Sequence, residues 1–166
     1  MIEAKLAIYD ISKGLCKKMS PLLLGKQIDG IWHTAVLIYD FEIFYGSNGI
    51  NKIKPYTTTL GEPETMESIG KTKKTFKELT TYLEKLSNNK FKAENYNVLN
   101  NNCNNFTCDF CFWLTGFNIP AYITDLPNDI LLSPMGEILK PFLEQASHVV
   151  NAATSQVNQA SRINKN

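Results

Sequence analysis

The segment "NCNNFTCDFCFWLTGF", residues 102–117, holds three of the chain's four cysteines, and how it folds decides what those thiols can do. As a loop, the C-x4-C-x2-C spacing of Cys103, Cys108 and Cys111 superficially matches plant-type iron–sulfur ferredoxins. That pattern requires a fourth cysteine downstream, and none follows Cys111. As a helix the segment is well formed. Phe106, Phe110, Trp113, Leu114 and Phe117 make one apolar stripe, Asn102 can accept from the first free N–H groups as N-cap, and Gly116 can terminate the last turn. At 100° per residue, Cys108 then lies roughly 140° around from Cys103, and the two cannot converge on one cluster. Zinc held by Cys108 and Cys111 would need two further ligands from Cys16, His33 or His148, and nothing in their spacing recommends them.

On a helix the three thiols are no longer equivalent. Cys108 and Cys111 read as small packing residues, the usual fate of a free buried cysteine. Cys103 falls in the first turn, where unpaired N–H groups and the helix dipole stabilise a thiolate. Residues 103, 106, 110, 113 and 117 share a face, which turns this sulfur toward the protein body. A nucleophile there needs a general base, and the chain offers two histidines. His148 sits in a polar tail and reads as solvent-exposed. His33 stands at the head of an apolar strand, where a buried imidazole needs a partner. On composition alone such a histidine is more often a core group. Beside a helix-opening cysteine it completes the Cys-His arrangement used for acyl transfer.

The rest of the chain frames that pair. The length of 166 residues suits one domain, and 43% hydrophobic with 20% charged residues is ordinary for a globular protein. A net charge of +1 leaves no electrostatic footprint for nucleic acid or anionic membrane. The start, "MIEAKLAIYDISKG", lacks the features of a signal peptide, and no apolar run reaches a membrane span. The expectation is an intracellular protein with reduced thiols, disulfides being the least favoured reading.

Residues 4–11 predict a first strand, and "SKGLCKKMSPLLLG" predicts a short helix stopped near Pro21 and Gly25. Residues 32–46 predict a β-hairpin with Asp40 and Phe41 at its turn. Residues 51–63 read as a loop or irregular strand, and "MESIGK" as another short strand. "TFKELTTYLEKLSNN" predicts a helix opened by a Thr75–Glu78 capping box. After residue 117 a proline-punctuated loop and one or two short helices run to about Gln145. Residues 146–166 read as a polar tail, mobile or loosely helical, which bounds the domain at 1–145.

Four stretches in this order, "YDISKGL", "LLGKQIDGIWHTAVLIYDFEIFYGSNGI", "YNVLNNNCNNFTCDFCFWLTGFNIPAYITDLP" and "SPMGEILKPFLEQ", resemble the PPPDE superfamily of cysteine isopeptidases, in particular its desumoylating members. "GIWHT" and the "NCN" followed by Phe106 carry most of that resemblance. It implies an α+β, circularly permuted papain-like fold, with a small antiparallel sheet packed with helices. It also implies Cys103 as nucleophile and His33 as general base, acting as a dyad with neither cofactor nor metal. The substrates implied are SUMO or ubiquitin conjugates, cleaved at lysine through a thioester, and the assembly is a homodimer with the groove near the subunit boundary. A cytoplasmic location goes with the lack of signal-peptide features at the start, and entry into the nucleus stays open, with no basic cluster to serve as an import signal. The N–H of Cys103 is the natural first oxyanion donor. Trp32, Tyr45 and Gly46 are candidate walls for a narrow groove, an ordinary core or turn position being the favoured reading of each. Two other functions stay open: a thioesterase that removes fatty acyl groups from cysteines, and a non-catalytic module that binds a ubiquitin-like partner.

Overall fold

The structure, a computed structural model, describes residues 1–133, 135–138, 140 and 141. Its centre is a five-stranded antiparallel sheet in the order β4-β3-β2-β1-β5. The strands are β1 (Ile2–Asp10), β2 (Trp32–Ile38), β3 (Phe41–Gly46), β4 (Gly49–Ile53) and β5 (Thr65–Thr72). Of residues 51–63, expected as a loop or irregular strand, the first three belong to an edge strand that begins at Gly49. It pairs with β3 from Glu42↔Ile53 to Gly46↔Gly49, alternating buried and outward residues in a run too short to stand out alone.

The β2–β3 hairpin turns at Tyr39 and Asp40, one residue earlier than expected. Both have positive φ, 52° and 60°, the signature of a two-residue turn whose twist matches the flanking strands. Phe41 is already the first residue of β3. The first helix, α1 (Leu15–Leu24), runs through Pro21 and ends at Gly25, which is left-handed at φ 65°. Pro21 therefore does not stop this helix, whose N–H at that position is simply missing, and the glycine alone ends it.

Strand alternation divides the core. Leu6, Ile8, Val36, Ile43 and Tyr45 face one side and pack against two helices, α2 (Phe76–Ser87) and α3 (Cys103–Thr115). Ala7, Tyr9, Ala35 and Phe44 face the other side, with Leu37, Ile53 and Leu60 against them. From α3, Phe106, Phe110, Cys111 and Leu114 are all at most 4% exposed, so this helix docks as the main layer over the sheet. Burying each aromatic ring is worth about 2 kcal/mol or more. Trp113 lies at the margin, stacked on Tyr82 at 4.1 Å between centroids, while Phe117 is past the helix end and 64% exposed. Two short helices follow, α4 (Ala121–Thr124) and α5 (Leu126–Leu131). No helix among the described residues is long and apolar enough to cross a membrane. The expected polar tail, with His148 in it, lies outside the described residues.

Candidate active site

The β2–β3 ladder runs only from Val36↔Ile43 to Ile38↔Phe41. Beyond it, residues 32–35 keep their pairing with β1 alone, and residues 44–46 keep theirs with β4 alone. The first turn of α3 seats in the resulting gap and is stitched to β2. Asn104 donates its side-chain N–H to the Trp32 carbonyl at 2.9 Å and accepts from the Thr34 hydroxyl at 2.8 Å. The hydroxyls of Thr34 and Thr107 meet beside that bond, and Thr107 donates to the Cys103 carbonyl at 3.2 Å. The helix start is thus held to the strand that carries the histidine.

Asn102 caps α3 as expected, and more completely than a lone acceptor would. Its Oδ1 accepts from the N–H groups of Asn104 and Asn105 at 2.9 and 3.1 Å, and its Nδ2 donates to the Val98 carbonyl at 2.7 Å. Asn105 Oδ1 accepts the Asn102 N–H at 2.9 Å and closes a capping box. Two of the helix's free donors are satisfied and the N–H of Cys103 is left beside its own sulfur.

Cys103 and His33 line one pocket with Trp32, Asn102, Asn104 and Tyr96. Its remaining walls are apolar and include Ile11, Val98, Leu126 and Ile130. Cys103 is 7% exposed and His33 only 2%. Burial pushes the Cys103 thiol up to about 11, while the backbone groups of Thr34, Asn104 and Cys103 itself pull it back down. Burial alone lowers the His33 imidazole to about 4. Both shifts favour the neutral forms of the thiol and the imidazole.

His33 lies on the sheet face opposite the helices, across from Tyr9 in the ladder, with Tyr9 and Phe44 rings 5.9 and 5.4 Å away. It reaches the pocket where the sheet is open. Its Nδ1 is buried and has no hydrogen-bond partner among the described residues. The buried carboxylate on that face, Glu42, is already engaged by the Tyr9 hydroxyl at 2.7 Å and the Tyr56 N–H at 2.8 Å. No third group orients the imidazole from there.

Over residues 2–144 the chain matches the PPPDE peptidase domain. It belongs to the PPPDE peptidase family. Relatives within and around that family include Desumoylating isopeptidase 1 of Rattus norvegicus and of Homo sapiens, each 44% identical over 144 residues, covering 87% of this chain and 86% of the relative. Desumoylating isopeptidase 1 of Xenopus laevis is 42% identical over 140 residues, covering 84% and 83%.

Two of the three candidate groove walls take their core or turn reading in this PPPDE chain. Tyr45 is not a groove wall: it is fully buried under α3, packs on Phe91, Tyr96 and Phe106, and donates its hydroxyl to the Lys92 carbonyl at 2.6 Å. Gly46 is not one either, since it pairs with Gly49 at the end of the β3–β4 hairpin. Both sit on β3 where alternation and the turn send them away from the pocket. Trp32 does line it, edge-on to Tyr122 at 5.8 Å. A Cβ on Gly30 would come within 2.7 Å of the Trp32 ring, so this glycine lets the indole fold back. Cys111 is core, and Cys108 is half-buried near Asn118.

Sequence reasoning missed the Asn104–Thr34–Thr107 clamp, Tyr96 and Asp10. The Asp10 carboxylate accepts from the N–H groups of Ser12, Gly14 and Ile31 and from the Ser12 hydroxyl, which ties the end of β1 to the approach to β2. These bonds span up to 73 positions of sequence, and local pattern carries no trace of them.

Proposed function

We propose that this chain is a cysteine isopeptidase that removes SUMO from lysine side chains, with Cys103 as nucleophile and His33 as general base. The observation that carries the assignment is the capped first turn of α3, which sets Cys103 in the same pocket as His33 within a PPPDE chain. The relatives named above are desumoylating isopeptidases, and this chain matches 83–86% of their length, which supports the substrate class.

In this reading His33 takes the thiol proton as the sulfur attacks the carbonyl carbon at the modifier's C-terminus. The carbonyl oxygen becomes an oxyanion next to the Cys103 N–H. Collapse expels the lysine amine, which takes the proton back from His33. Water, deprotonated by the same imidazole, then releases the modifier from the thioester. The low exposure of both groups makes the resting pair inert until a narrow tail enters. The chain order, His33 before Cys103, accords with a permuted papain-like arrangement.

The test uses di-glycine-terminated SUMO and ubiquitin conjugates together with matching vinyl-sulfone probes. Labelling of Cys103 that vanishes in His33→Ala, with SUMO conjugates cleaved ahead of ubiquitin conjugates, is the expected result. Equal cleavage by Cys103→Ala and the unaltered chain would sink the proposal, and absence of labelling by either probe would favour a binding module. The apolar walls at Ile11, Val98, Leu126 and Ile130 favour one further reading, a thioesterase acting on fatty acyl-cysteine, and a fluorogenic acyl thioester run beside the conjugates ranks the two. We propose a homodimer as well, checked by light scattering, and a cytoplasmic and nuclear location, checked by imaging a tagged chain.

A further inference from the structure

An oxyanion needs more than one donor, and the Cys103 N–H is a single one. Resting on the assignment of Cys103 as nucleophile, we propose that the Tyr96 phenol is the second donor, hydrogen-bonding the carbonyl oxygen as the sulfur–carbon bond forms.

Tyr96 ends a single 3-10 turn, Ala93–Asn95, with its N–H on the Ala93 carbonyl at 3.2 Å. The Asn97↔Asn101 bridge, with N–H···O bonds of 3.0 and 2.9 Å in both directions, then folds the intervening loop back to the cap of α3. These bonds fix the tyrosine backbone relative to Cys103. Its ring leans on Tyr45 at 5.2 Å, and the residue lines the pocket that Cys103 and His33 share.

Three other tyrosine hydroxyls are occupied. Tyr9 donates to Glu42, Tyr39 to the Lys74 carbonyl at 2.6 Å and Tyr45 to the Lys92 carbonyl. No hydrogen bond engages the Tyr96 hydroxyl among the described residues, on a half-buried side chain that lines the pocket with Cys103. A hydroxyl left free beside a nucleophile is matched to an acceptor that exists only during reaction. Burial, the neighbouring Cys103 and then Tyr45 all hold the phenol in its protonated, donating form. The bookkeeping is closed: the sulfur lone pair forms the S–C bond, the carbonyl π pair moves onto oxygen, and Tyr96 keeps its proton while donating the hydrogen bond. When the tetrahedral centre collapses, that pair re-forms C=O and the C–N bond breaks toward the amine protonated by His33.

The experiment is hydrolysis of SUMO carrying a C-terminal amide-linked coumarin by Tyr96→Phe, beside alkylation of Cys103 by iodoacetamide. Alkylation at a saturated carbon builds no oxyanion. Expected is a fall in kcat of about 10²–10³-fold with KM little changed and the alkylation rate unaltered. An unchanged kcat overturns the inference, and so does an alkylation rate that falls by the same factor, which would make Tyr96 a thiol-positioning group. If Tyr96→Phe fails to fold, a fluorinated tyrosine at the same position retains the shape and ionises at lower pH. The alkaline limb of kcat should move down with it, and a fixed limb overturns the proposal. Cys103→Ala is run in parallel: if it stays active, or if the unaltered chain does not hydrolyse the substrate, the proposed function falls and takes this inference with it. Loss only in Cys103→Ala, with Tyr96→Phe unimpaired, removes the inference alone.

Discussion

Two helices of this protein begin with the same device in different chemistry. At the start of α2, Thr75 and Glu78 close a capping box on the open surface, with Glu78 accepting from the Thr75 N–H at 2.7 Å and from its hydroxyl at 2.8 Å. At the start of α3, Asn102 and Asn105 close the same box with two neutral amides, and no acidic residue stands in the first turn. A carboxylate is the better partner for a helix dipole, so its absence from α3 has a stability cost. Next to the proposed nucleophile the preference reverses, because a negative charge in the first turn would oppose formation of the thiolate. One helix is capped for stability and the other for the thiol it carries.

The largest effect expected from breaking this contrast is loss of the proposed nucleophile. Cys103→Ala and His33→Ala should each lower conjugate hydrolysis by about 10³-fold or more in steady-state assays, whereas Thr75→Ala should leave the rate unchanged. Burial at the α3 end also has a pH signature. His33 titrates at 6.5 when unfolded and at about 4 when folded. The unfolded chain therefore binds the extra proton first, and the stabilisation present above pH 6.5 is lost as pH falls toward 4. Denaturant titrations should show roughly 3 kcal/mol of that loss disappear in His33→Gln.

Transplanting the chemistry of α2 is subtler. Asn105→Glu keeps a capping acceptor at the third position and adds a charge. Iodoacetamide should then alkylate Cys103 on the order of 10-fold more slowly at neutral pH, with little change in melting temperature. Removing the caps themselves should cost about 1 kcal/mol each for Asn102→Ala and Thr75→Ala by chemical denaturation, with only the former reducing activity. The smallest effect separates the caps by acid. The Glu78 carboxyl is held below its ordinary value, chiefly by the Thr75 backbone and side chain. Its contribution is present above the unfolded value and lost as pH falls through the lowered one. Amide exchange at about pH 3 should release the Thr75 N–H while leaving the Asn102 N–H protected.

Much of the architecture is legible in residues 75–87 and 102–117, where cap, stripe and terminating residue agree and one helix is the only consistent reading. The hairpin is legible because both runs alternate, but its turn was displaced by one residue, since Tyr39 and Asp40 adopt positive φ without a glycine to announce it. That Cys103 and His33 share one pocket accords with their residue type and position, and Asn102 follows from the cap. Tyr45 misleads because an aromatic near the histidine in sequence sits on the next strand and faces the other way. Asn104, Thr34 and Tyr96 stay hidden because their roles arise only where β2 and β3 part and the helix seats between them. That gap is a property of pairing at a distance.

The strand order has a consequence for how the protein is made. The first four strands are neighbours in the sheet and all lie within residues 2–53, so they can assemble early as the chain is synthesised. Cys103 emerges some fifty positions later, on the helix that covers them. The cradle is then waiting before its thiol arrives, and the time for which that sulfur is open to oxidants is set by the docking of a single helix.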